Sequence, residues 1–177
     1  PSVDSGYHED ERQASSMCGR YTLATDAQAL VDLFEIEHLL FDPSQYRPHY
    51  NIAPSQAVPI VRWTQSGREL VLARWGLVPH WSREPRTKYS TINARAETVA
   101  EKPSYRDAFK HKRCLIPATG FYEWQRDGGN KTPHHIHAPG NSLLAFAGLW
   151  DHWDGQSEGF DSCSSIVTAA SRTMQPI

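Results

Sequence analysis

The sequence predicts an α+β fold: a single domain with a predominantly antiparallel, barrel-like β core and short helices outside it. Three observations carry this. Short alternating or apolar runs recur between clusters of Gly, Pro, Asn and Ser. One early stretch has a helical period instead. The 177 residues contain no repeat and no interdomain linker, and that length suits one domain with a real core.

The elements follow in order. Residues 1–16 are polar and aperiodic and carry a net charge of −3; they read as a disordered extension, a tag remnant or upstream read-through. Met17 reads as the native start. Cys18–Leu23 alternates like a short strand. Asp26–Glu37 is helical, with Ala27, Leu30, Val31 and Phe34 on one face and Thr25 or Asp26 as its cap. Residues 42–56, rich in Pro, Tyr and Asn, read as an ordered loop. Val58–Trp63 and Glu69–Trp75 form a hairpin around Ser66-Gly67. Pro79–Thr91 is a basic, aromatic loop, and Pro103 suits the first turn of a helix that runs to about Lys110. Further strands are expected at Cys114–Pro117, Phe121–Gln125, His134–His137, Leu143–Trp150 and Ser165–Ala169, with a turn at Gly128-Gly129-Asn130.

Composition excludes some function classes. The longest apolar run is far short of the ~20 residues a membrane helix needs, so no membrane span is expected. Three cysteines at irregular spacing argue against a disulfide framework and for a reduced, intracellular compartment. The net charge of −2 says little, but residues 83–113 hold nine Lys/Arg against four Asp/Glu. Such a stretch is either a phosphate-tracking surface or a solvated face.

Several residues can carry chemistry. If Met17 is removed, Cys18 presents an α-amine and a thiol on adjacent carbons. An aldehyde forms a Schiff base with the first and a thiazolidine with both. Both groups titrate within about two pH units of neutrality. The same residue also reads as a small buried cysteine in a first strand. In Asn93-Ala94-Arg95-Ala96-Glu97, Asn93 can orient an amine or a sugar oxygen and Arg95 can fork onto a phosphate; a capped helix start is the alternative. In Gly120–Gln125, alternation puts Glu123 on the same face as Phe121. Burial there would raise its pKa and suit it to general acid/base work; a solvent-facing carboxylate on a half-exposed strand is the alternative. Trp75 and Trp150 read as core, whereas Trp81, between His80 and Ser82, suits base stacking. His134, His135 and His137 lack a partner at metal-site spacing, so no metal is expected.

These blocks in this order resemble the SRAP family, the SOS-response-associated peptidase domain, whose members are also called abasic-site processing proteins. The resemblance covers residues 17–177. It rests on Met17-Cys18-Gly19-Arg20-Tyr21, Tyr50-Asn51-Ile52-Ala53-Pro54, Trp75-Gly76-Leu77-Val78-Pro79, Ile92-Asn93-Ala94-Arg95, Gly120-Phe121-Tyr122-Glu123-Trp124 and Ile166-Val167-Thr168-Ala169-Ala170. It implies self-removal of what precedes Cys18, then a covalent thiazolidine cross-link between Cys18 and an abasic site in single-stranded DNA. Asn93 would hold the amine, and Glu123 would act as acid/base. Arg20 and Arg95 would bind phosphates, and Asn51, Trp81 and Thr168 would line the DNA groove. No cofactor is implied; a cytoplasmic monomer is expected, associated with the nucleoid if bacterial. The family's catalytic histidine follows the segment matching Ser171–Ile177, so the domain is expected to be incomplete at its C-terminus. A thiol hydrolase acting without DNA and a non-catalytic single-strand binder are the alternatives.

Overall fold

The computed structural model describes residues 19–155 and 158–169, with the backbone alone for Arg126 and Asn141. Its frame is a ring of five strands. The hairpin of β4 (Ala57–Thr64) and β5 (Gly67–Trp75) turns through two residues, with Thr64 paired to Gly67. β4 pairs with β7 (Arg113–Ala118), β7 with β10 (Leu144–Trp153), and β10 with β11 (Phe160–Val167), all antiparallel. A parallel pairing of β11 with β5, at Ser162 with Arg74 and Cys163 with Trp75, closes the ring. Two short strands add to it: β2 (His38–Leu39) along the start of β5, and β6 (Asn93–Arg95) along the end of β11. The expected barrel-like core is present.

A second sheet of four strands packs on this ring, in the order β3 (His49–Ile52), β1 (Tyr21–Leu23), β8 (Gly120–Asp127), β9 (Asn130–His137). Gly128 and Gly129 form the β8–β9 turn, both with positive φ (52° and 94°), as a tight hairpin requires. The inward residues Tyr21, Leu23 and Ile52 meet Val58, Ile60, Leu70, Trp75 and Ile116 of the ring in the main core. Tyr21 meets Trp75 and Phe146 edge-on, at 5.2 and 5.8 Å between ring centroids. A smaller core of Leu77, Ala94, Val99, Ala108 and Leu149 sits under α2 (Arg106–His111). No described helix is long and apolar enough to cross a membrane.

Several expectations shift. The helix α1 (Ala27–Phe34) starts at its Asp26 cap, whose carboxylate accepts from Ala29 N, but ends early because Glu35 turns left-handed at φ 49°. Residues 49–52, expected in a loop, form strand β3: an antiparallel partner in β1 overrides the flanking prolines. Asn93–Arg95 is a strand and not a capped helix start. α2 begins three residues beyond Pro103, after a turn at 103–105. β11 starts at Phe160, where Trp153 across the sheet already pairs with it, and stops at Val167 in place of the expected Ala169. Trp75 is core, at 2% exposure. Trp150 is only half-buried, with the Arg62 guanidinium 4.3 Å over its ring.

Candidate functional site

The four-stranded sheet has two faces, and alternation sorts the candidate residues between them. Tyr122 N donates to Arg20 O (2.9 Å), which extends the β1–β8 pairing to Arg20. Tyr21 and Phe121 therefore point inward, and Arg20 and Tyr122 point outward. On the outward face an open cavity of about 740 Å³ is lined by Gly19, Arg20, Asn51, Tyr122, Trp124 and Pro133. Arg20 Nη1 donates to Asn51 Oδ1 at 3.0 Å, and Tyr122 Oη donates to the Tyr50 carbonyl at 3.2 Å. One guanidinium, one amide and two aromatic rings thus face a single opening. That set suits a ligand with an anionic backbone and flat rings.

Glu123 alternates to the inward face with Phe121 and is half-buried, opposite His134 of β9. Phe121 touches Phe146, Phe146 touches Tyr21, and Tyr21 touches Trp75. The Trp75 indole Nε1 donates to the Ile92 carbonyl at 2.9 Å, directly before Asn93. Asn93 is set by β11: Ser165 Oγ donates to Asn93 Oδ1 at 2.7 Å, and Tyr105 Oη donates to the Asn93 carbonyl at 3.2 Å. Asn93 and Arg95 share one face of β6, and Arg95 is exposed opposite Val167. Thr168 follows β11 and donates to Glu97 at 3.2 Å.

Trp81 stands apart from the cavity, 54% exposed in the loop after Val78. The loop is pinned beside it: Asp151 accepts from both His80 N (2.9 Å) and His80 Nδ1 (3.0 Å), and Trp153 Nε1 donates to Ser82 O (2.8 Å).

The model of the SOS response associated peptidase (SRAP) family matches residues 17–177. The chain belongs to the SRAP family. Abasic site processing protein YoaM of Bacillus subtilis is 40% identical over 163 residues, spanning 91% of this SRAP chain and 71% of its own length. Abasic site processing protein HMCES of Xenopus tropicalis is 35% identical, spanning 75% of this chain and 49% of its own. A solved structure from Bacteroides thetaiotaomicron shares the fold with a TM-score of 0.79 at 27% identity, covering 90% of this chain and 72% of that one.

Within the SRAP domain the candidate residues fall into three groups. Arg20 and Asn51 meet at the outward cavity. Glu123 lies on the inward face, with Asn93 joined to that side through Trp75. Arg95 and Thr168 lie at the exposed ends of β6 and β11. Trp81 belongs to none of these, and Cys18 lies outside the described residues, directly before Gly19 of the cavity. Sequence reading did not nominate Tyr122, Trp124 or Pro133 as lining, although the alternation that put Glu123 with Phe121 also put Tyr122 and Trp124 together on the opposite face. Nothing in the sequence signalled Ser165 as the partner of Asn93, because that contact spans 72 positions.

The other two cysteines are poor nucleophiles. Burial pushes the Cys114 thiol up to about 12 and the Cys163 thiol well above its ordinary value. Among the described residues no three His, Cys, Asp or Glu side chains gather as a metal site. His134 pairs with Gln125 (3.1 Å), while His135 and His137 stack on the other face at 5.3 Å.

Proposed function

We propose that this SRAP chain is an abasic-site processing protein that binds single-stranded DNA and cross-links the lesion through Cys18. The observation that carries the reading is a juxtaposition: Gly19, next in sequence to Cys18, lines one opening with Arg20, Asn51 and two aromatic rings. Relatives whose names state abasic site processing support it.

The chemistry starts with hydrolysis of the Met17–Cys18 peptide bond, because an amide nitrogen cannot form a Schiff base. The freed amine attacks the aldehyde carbon of the ring-opened sugar, and the carbinolamine loses water to leave a C=N bond. The Cys18 sulfur then bonds to that carbon while the thiol proton passes to nitrogen, closing a thiazolidine. The amine-orienting role falls to Asn93 and the proton transfers in sugar opening and loss of water to Glu123 on the family resemblance; both lie on the inward side, across the sheet from the opening that Gly19 and Arg20 line. Arg20 and Arg95 hold phosphates, Asn51 and Thr168 line the groove, and exposed Trp81 stacks a base.

The test uses the form beginning at Cys18 and single-stranded DNA with one abasic site. A heat-stable adduct is expected with the parent and not with Cys18→Ala, nor with DNA whose aldehyde has been reduced. An adduct that persists in Cys18→Ala would overturn the reading. The family's description as a peptidase favours a second reading, a thiol peptidase acting in trans. Turnover of peptide substrates without any DNA adduct would establish that one instead.

A further inference from the structure

The outward face of the four-stranded sheet continues past the cavity along β9. Three rings stand in line there: Tyr122 lies 4.9 Å from His135, and His135 stacks on His137 at 5.3 Å with an interplanar angle of 24°. Each ring is held. His135 Nε2 bonds Thr22 Oγ1 at 3.1 Å, and that hydroxyl also donates to the Gly120 carbonyl and accepts from Thr119 Oγ1. His137 Nδ1 donates to the Ala138 carbonyl (3.0 Å), which leaves its Nε2 at the outer edge of the ring. Gly120 makes room for this row: a Cβ there would lie 2.5 Å from His135 Nε2.

The charges on this face are one-sided. Alternation from Pro133 puts exposed Lys131 on the same side, with Arg20 across the cavity, while Glu123 points inward. No Asp or Glu falls at an outward position of β1, β3, β8 or β9. Flat rings in a row, flanked by cations and free of carboxylates, match the two needs of a single nucleic-acid strand: faces for bases and charge for phosphates.

We infer that this ring-bearing face is an extended subsite for single-stranded DNA, carrying nucleotides that lie beyond the cavity. The inference rests on the DNA-binding reading above. His137, at the end of the row, offers its ring to a base, His135 backs it, and Lys131 takes a phosphate.

The test is fluorescence anisotropy with two undamaged oligothymidylates, of five and of fifteen nucleotides, on the chain beginning at Cys18. His137→Ala and Lys131→Ala, both at exposed positions, are expected to weaken the longer strand about 5- to 10-fold and the shorter one less than about 2-fold. Lys131→Ala should also reduce the salt slope of the longer strand by about 0.7. Thr132→Ala, on β9 but facing the other way, should bind like the parent. If both variants bind the longer strand as the parent does, or if Thr132→Ala weakens it equally, the subsite does not exist. A parent that binds the longer strand with these losses but forms no Cys18-dependent adduct sustains the subsite and sinks the cross-linking reading. A parent that binds neither strand sinks both.

Discussion

Asp151 is the residue whose loss the fold should feel most sharply. Its side chain is 4% exposed, yet it accepts hydrogen bonds from His80 N, His80 Nδ1, His152 N and Lys112 Nζ. It therefore ties the Trp81 loop and the turn after α2 to the C-terminal part of β10. Removing one partner of a buried charged cluster costs about 3–5 kcal/mol. Lys112 and His80 are 33% and 47% exposed and can recover water, so Asp151→Ala should cost about 3 kcal/mol, the low end of that range. For a chain of this size that lowers Tm by about 6–12 °C. Asp151→Asn keeps an acceptor without the charge and should lose about half as much. Burial pushes the Asp151 carboxyl up, but its bonds to Lys112 and His80 outweigh that and hold it below the usual carboxylate value. A pKa lowered by folding stabilises the protein above the unfolded pKa, about 3.9, and the benefit fades as pH falls through the folded value. Thermal melts of parent and variants from pH 7 downward should show a gap that is constant to about pH 4 and narrows below it. A gap under 2 °C at pH 7, or one that widens in acid, would refute this account of the cluster.

Two further outcomes follow from the packing. Gly120→Ala would set a Cβ 2.7 Å from the Ile136 carbonyl as well as against His135, so the β8–β9 pairing must give way; a loss of about 1–3 kcal/mol is expected in urea melts. In a Cys18→Ala form, burial and raised pKa values should leave Cys114 and Cys163 unreactive to a thiol reagent at pH 8 until denaturant is added, when both react.

What could be read from the sequence was what is local. The β4–β5 hairpin was legible because two short apolar runs, Val58–Val61 and Leu70–Ala73, flank the turn signal at Ser66-Gly67. The cap at Asp26 and the Gly128-Gly129 turn were legible because each needs a particular side chain or a positive φ. β3 was hidden: Pro48 and Pro54 on either side of it resemble a loop, and its partner β1 lies some thirty positions upstream. β6 has three residues and exists only through its parallel pairing with Ser165–Val167. The start of β11 was obscured because Ser162, Cys163 and Ser164 are all buried, so alternation is lost; small side chains let the ring close, with Ser162 Oγ accepting from Val78 N. The site divided along the same line. Glu123 on the Phe121 side followed from period-two reasoning, whereas the meeting of Arg20 with Asn51 and the separation of Trp81 from that cavity are products of tertiary packing.

Pro133 carries a consequence for the molecule's company. Counting outward from the two-residue turn, Asp127 and Asn130 exchange hydrogen bonds and alternate pairs do the same, so Trp124 and Pro133 form a pair that does not. The imide nitrogen of Pro133 is therefore turned away from β8, toward the rim of the sheet, where it has no hydrogen to give. A foreign strand approaching that rim would meet a gap in the row of donors halfway along. The smaller sheet can in this way leave a broad flank open to a flexible, charged polymer while discouraging its own copies from zipping onto it.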